Sequence, residues 1–221
     1  MTRRSDPRGS CAAAAALAAA GLLLTASCAS RSSRPHNFAA AGEEQTARAI
    51  AAWREAVARA DRLGPSRLLY DARMRQGAVS LPGTLAVSTA EPVRATMTGP
   101  FGSPVATYAD GALRGEKFAP VAIEPEPLLW LLGGVWKAQE PQVRGVAGDD
   151  ALLVWTSPSP VEGVLHVPSA RFTSLRVTTG GKTLEASYAG TADPWPTKVE
   201  LKDPATKSSL RLSLVAREPL P

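Results

Sequence analysis

Two cysteines, Cys11 and Cys28, and two histidines, His36 and His166, are the residues of this 221-residue chain best suited to nucleophilic, metal-binding or proton-transfer chemistry near neutral pH. Their spacing argues against each use. A zinc site needs three or four ligands brought together, and the chain has neither a His-Glu-x-x-His run nor paired cysteines at ligand spacing. It has no Gly-x-Ser-x-Gly, and a Ser-His-Asp relay would have to be built around His166, a strand residue flanked by Leu165 and Val167. Gly180-Gly181-Lys182-Thr183 has the ending of a phosphate-binding loop. Arg176 stands where the first glycine is required, however, and strands flank the run, so it reads as a hairpin turn. Glu124 with Glu126, or Asp149 with Asp150, could pair as acid and base. They lie in turn-rich segments without a partner framework and read as solvated surface. The expectation is a protein with no catalytic residues, no metal and no cofactor.

Cys28 has another use. Arg3, Arg4 and Arg8 precede an uncharged run over 11–27, after which small residues lead into Cys28. This is the layout of a secretory signal. The run is alanine-rich and at the lower edge of bilayer-spanning length, so a permanent transmembrane helix is the weaker reading. Cleavage separates Cys11 from Cys28 and excludes a disulfide between them, which leaves Cys28 as the sole cysteine of the mature chain. An ordinary cut near Ala26 would make it an incidental thiol. The stretch Leu24-Thr25-Ala26-Ser27-Cys28, however, resembles the lipobox of bacterial lipoprotein signals, with Thr25 where leucine is usual. That resemblance implies a diacylglycerol on the Cys28 thiol, a cut just before it and acylation of the new amino group. Two or more chains, at about 0.8 kcal/mol per buried methylene, make such anchoring stable. Ala29, rather than aspartate, implies sorting to the outer membrane. Residues 1–27 are then a lipoprotein signal peptide, 28–42 a lipidated flexible tether rich in small and polar residues, and 43–221 the folded domain.

Elements that could position a site are readable over that domain. Hydrophobic residues make up 44 % and charged residues 20 %, enough for a buried core, and five tryptophans stand out among few aromatics. Removing 1–27 takes three arginines and one aspartate, lowering the formal charge from +5 to about +3, too mild for a nucleic-acid partner. Residues 43–63 place Ile50, Trp53, Val57 and Ala60 at helical spacing, with Arg48, Arg54, Glu55, Arg59 and Arg62 on other sides and Gly64-Pro65 as the stop. From Ser66 the period falls to two. Strands are predicted over 67–75, 83–88, 93–99, 104–109, 112–118, 151–156, 161–167, 171–179, 182–189, 196–202 and 208–216, with turn residues between several of them. About ten or eleven strands in one antiparallel meander imply a barrel or part of one. The apolar run Leu128-Leu129-Trp130-Leu131-Leu132, ending at Gly133-Gly134 and preceded by Pro127, predicts a short helix that plugs the core or covers a curved sheet.

This order of features is similar to the LolA/LolB superfamily and its LolB-like lipoprotein relatives. The residues that carry the likeness are the strand ending in Gly99-Pro100-Phe101-Gly102 within "VRATMTGPFGSPVATYADG" (93–111), the leucine-rich "EPEPLLWLLGG" (124–134) and the closing hairpins from Lys182. The resemblance implies an incomplete, half-open antiparallel β-barrel with one N-terminal helix and a helical lid, enclosing an apolar space for acyl chains of lipoproteins or similar amphiphiles. It implies a non-enzymatic, outer-membrane-anchored, periplasm-facing lipoprotein acting in lipid or lipoprotein transport, with a periplasmic carrier or envelope protein as partner. Leu128, Leu129, Trp130, Leu132 and Trp136 are then the ligand-binding lid or wall, and Phe101 and Leu81 are candidates for an exposed residue that inserts into membrane. The competing expectation keeps the fold but fills the cavity with its own side chains, leaving an interaction or sensor module of the envelope.

Overall fold

The structure, a computed structural model, describes residues 37–115, 118–122, 125–157, 159–179, 181–190 and 195–221. The signal segment, Cys28, Glu124 and Gly180 lie outside these residues.

Helix α1 (Glu43–Asp61) comes first, with Glu43 and Glu44 at its positive end and the Gln45 side chain accepting the Gly42 backbone N–H at 3.0 Å. Then follow β1 (Ser66–Gln76), β2 (Val79–Ser88), β3 (Arg94–Thr98), β4 (Pro104–Ala109), β5 (Ala112–Gly115) and β6 (Phe118–Ala122). Helix α2 (Pro125–Gly133) intervenes before β7 (Gln142–Ala147), β8 (Asp150–Trp155) and β9 (Val161–His166). A short 3-10 turn (Val167–Ser169) leads into β10 (Arg171–Thr179), β11 (Lys182–Ala189), β12 (Lys198–Asp203) and β13 (Ser208–Pro219).

The strands form one antiparallel sheet in the order β6-β5-β4-β3-β2-β1-β13-β12-β11-β10-β9-β8-β7. The edge strands β6 and β7 are not paired with each other, so the sheet is an incomplete barrel. α2 lies in the connection between those two edges, and α1 feeds the central strand β1. Alternation is strict along β1: Ser66, Leu68, Tyr70, Ala72 and Met74 are buried, while Arg67, Leu69, Asp71, Arg73 and Arg75 are exposed. The buried side chains of β8, β9 and β10, among them Leu153, Trp155, Leu165, Phe172 and Leu175, form one continuous core with α1 and α2. Burying each such side chain contributes about 1.5–3 kcal/mol, so the sheet's inner face supplies much of the folding free energy.

Several boundaries differ from those predicted. Residues 112–118 are not one strand; β5 stops at Gly115 and β6 starts at Phe118. β7 had no period-two signal, because "QVRGVA" is short and Gly145 interrupts its apolar set. β2 begins at Val79 rather than 83, with Pro82 exposed within it. Of the predicted stripe of α1, Trp53 is buried and Val57 and Ala60 are half-buried against the core; the other buried positions are Ala49, Ala52 and Ala56. Small side chains let the helix axis come close to the strands, so bulk does not mark the inward face. Ahead of α1, Ala39 bridges Val146 of β7 through two backbone hydrogen bonds of 2.9 and 2.8 Å. The chain is thus tied to the sheet before the helix begins.

Candidate functional site

The inner face of the sheet and the two helices enclose the candidate site. α1 packs against the 3-10 turn and against β7, β9 and β10. It is pinned to the segment after α2 by the Trp53 Nε1–H, which donates to the Trp136 carbonyl at 3.0 Å. Lys137 Nζ meets Asp61 Oδ1 at 2.6 Å and Arg54 reaches Glu140 at 2.6 Å, both near solvent. The Tyr188 hydroxyl of β11 donates to the Leu131 carbonyl at 2.8 Å, holding the end of α2 against the sheet. Burial pushes the ionisation of that phenol well above its ordinary range, so it remains a neutral donor.

Between these supports lies a cavity of about 250 Å³. Ala56 and Ala60 of α1, Gly133, Gly134 and Val135 after α2, and Phe172, Tyr188 and Pro196 from the sheet side form its apolar wall. Arg59, His166, Ser169, Arg171 and Thr173 form a polar margin. Arg59, expected on the solvated side of α1, turns inward with only 18 % of its side chain exposed and donates to the Ser169 and Ala170 carbonyls at 3.3–3.4 Å. His166 Nδ1 stands 2.8 Å from the Ser169 hydroxyl. Among the described residues no carboxylate is hydrogen-bonded to that ring, so the pair lacks the third group that would orient it as a base. Sequence reasoning placed neither Arg59 nor His166 at a cavity; the signal for both is tertiary, the crossing of α1 over the turn after β9.

The predicted lid residues take different positions. Leu132 and Trp136 are almost fully buried, at 2 % and 3 % exposure, whereas Leu128, Leu129 and Trp130 are half-buried against the same core. Trp130 and Trp136 meet edge to face with centroids 5.1 Å apart. The five are therefore contiguous with the core, but the cavity wall comes from the glycine pair and Val135 just beyond them. Gly134 has φ +63°, and a Cβ there would stand 3.3 Å from the Tyr188 ring, so glycine is required at the joint behind α2. Elsewhere in the core Trp155, Tyr70, Leu68, Leu153 and Leu165 are all below 2 % exposure. Three buried donors, Tyr70 Oη, Trp136 Nε1 and Trp195 Nε1, find no acceptor there. Phe101 is 95 % exposed at the β3–β4 turn, while Leu81 is half-buried against the core.

Among the described residues no group of three His, Cys, Asp or Glu side chains is placed to hold a metal. No helix among them is long and apolar enough to cross a membrane. The hairpin reading of Lys182-Thr183 holds, since Thr179 pairs with Lys182 across the β10–β11 turn.

No family model matches the chain, and no curated protein matches it. Solved structures do. A LolA superfamily protein from Nitrosomonas europaea is 10 % identical, with a TM-score of 0.51 over 76 % of this chain and 94 % of that one. A DUF1329 family protein from Desulfovibrio piger, also 10 % identical, aligns over 76 % of this chain and 92 % of that one at a TM-score of 0.47. With the incomplete antiparallel barrel, the helix leading into its central strand and the second helix between its open edges, the first of these likenesses identifies the chain as having a LolA/LolB-like fold.

Proposed function

We propose that this protein is a lipid-anchored lipoprotein of the outer membrane, facing the periplasm, that binds an acyl chain of a lipid or lipoprotein during envelope transport. The observation that carries the reading is the cavity between the two helices and the inner face of the sheet. Its wall is apolar, its margin is polar, and one side is the end of a helix at Gly133-Gly134. Such a space binds by non-directional burial, at roughly 25 cal/mol per Å² of apolar area, and needs no catalytic group. At about 250 Å³ it is smaller than the roughly 300–1,000 Å³ of ordinary ligand pockets, so a full chain enters only as α2 moves away from the sheet. The half-buried side chains Leu128, Leu129 and Trp130 would then line the widened space.

Cys28 is the proposed attachment point, and the segment from Ala29 carries the domain away from the bilayer. A second reading, a core-filled interaction or sensor module, is favoured by the dense packing of Trp155, Tyr70 and Leu153. Displacement of a fluorescent fatty acid separates the two. Wild type should bind the probe, and Ala60→Trp, which fills the cavity from α1, should weaken binding at least about tenfold at unchanged thermal stability, since each 1.4 kcal/mol is a factor of ten. Equal binding by both proteins, or none by wild type, would favour the second reading.

A further inference from the structure

The opposite, convex face of the sheet carries a second site. Register places Arg73 of β1 directly across from Arg211 of β13, and Arg75 one rung on, between Ser80 of β2 and Ser209 of β13. These side chains, with Ala78, line a hollow of about 220 Å³ on the outer surface. Like charges directly opposite on neighbouring strands oppose folding, and in the Arg73–Arg211 pair only Arg211 has a carboxylate partner within the sheet. Arg211 has an acid, its Nε donating to Glu200 at 2.8 Å, and Arg75 donates to the Gly77 carbonyl at 3.1 Å. Arg73 makes no ion pair or hydrogen bond among the described residues. Asp71, two residues before it on the same face, pairs in register with Ser213 and Thr84 instead. Three guanidinium forks and two hydroxyls around one hollow match the tetrahedral oxygens of a phosphate, which arginine binds bidentately.

The location says which phosphate. The β1–β2 turn, the β12–β13 turn and the β3–β4 turn all fall at one end of the sheet, because β1 and β3 run towards it and β13 runs away from it. Arg75 stands on the next-to-last rung before that end. There, too, are Phe101, 95 % exposed, and Val79, 45 % exposed. Cations beside exposed apolar side chains at one end of a molecule fit the boundary of a bilayer better than they fit water. We infer that the Arg73–Arg75–Arg211 hollow binds the phosphate of an anionic phospholipid headgroup and turns this end of the domain towards the membrane.

The inference is independent of the acyl-chain cavity and has its own test. The full chain carrying Cys28→Ser, which lacks the attachment point, is sedimented with vesicles of phosphatidylcholine alone or mixed with phosphatidylglycerol, at low and high salt. A parallel calorimetric titration uses inorganic phosphate. The expected result is salt-sensitive binding to the mixed vesicles only, weakened at least about tenfold by Arg73→Gln with Arg75→Gln, with circular dichroism and thermal unfolding unchanged. Both arginines are exposed, so the double variant should fold. Equal binding by wild type and the double variant, equal binding to both vesicles, or no vesicle binding at all would overturn the inference. Binding of inorganic phosphate without vesicle binding would assign the hollow to a free anion and overturn the lipid source.

Discussion

At the scale of single residues, the interior holds two kinds of buried donor, and they should behave oppositely on substitution. Trp53 Nε1–H serves the Trp136 carbonyl, so Trp53→Phe leaves a buried carbonyl unpaired and should cost about 1–3 kcal/mol in urea unfolding. Tyr70 is fully buried with a hydroxyl that meets no acceptor, and burial raises its ionisation far above the ordinary phenol range. Tyr70→Phe removes an unsatisfied group and should leave stability unchanged or raise it by up to about 1 kcal/mol. A large loss in the same titration would mean that the hydroxyl has a partner. The sequence could not sort these aromatics. Alternation placed Tyr70 on the inner face of β1, but whether a ring's polar atom finds an acceptor depends on loops from distant segments, such as the one carrying Trp136.

At the scale of elements, the joint behind α2 rests on Gly134. Gly134→Ala forces a side chain into the left-handed region and against Tyr188, which should cost about 1–2 kcal/mol and lower the unfolding temperature. The convex face offers a pH test. Burial alone would raise the Glu200 carboxyl, but hydrogen bonds and charge from Arg211 and Lys202 bring it below the ordinary carboxylate value. A depressed folded pKa contributes stability that is present above the unfolded value and is lost as pH falls through the folded one. Wild type should therefore lose stability on acidification over that interval, and Glu200→Gln should lose less, as measured by unfolding at a series of pH values. The elements were unevenly legible in the sequence. Residues 67–75 alternate apart from Leu69, a leucine on the exposed face, and were readable as a strand. Residues 118–122 and 142–147 were not, because a proline or a glycine breaks each short run. α1 was readable as a helix with Trp53 inward, but the inward Ala49, Ala52 and Ala56 were not, because alanines lack the bulk that marks a buried face.

At the scale of the whole molecule, one antiparallel meander forming a barrel or part of one was legible from periodicity and punctuation, and its half-open form with helices over it was what the family resemblance implied. The short helix over Leu128–Leu132 was legible from its apolarity. The cavity was not, since its wall comes from backbone at Gly133-Gly134 and from a helix crossing that no local pattern encodes. The proposed anchor is testable in cells. Inhibition of the signal peptidase that acts on lipoproteins should leave an uncut precursor, longer by residues 1–27, in the membrane, and Cys28→Ser should abolish incorporation of labelled fatty acid; unchanged mobility under the inhibitor, or no label in the wild type, would contradict lipidation. The most direct test of acyl-chain binding is mass spectrometry of an organic extract from the protein purified under native conditions, wild type beside Trp130→Asp. The account predicts co-purifying lipid in the wild type and much less in the variant, whose charged side chain desolvates poorly against the core. Lipid absent from both samples would contradict it.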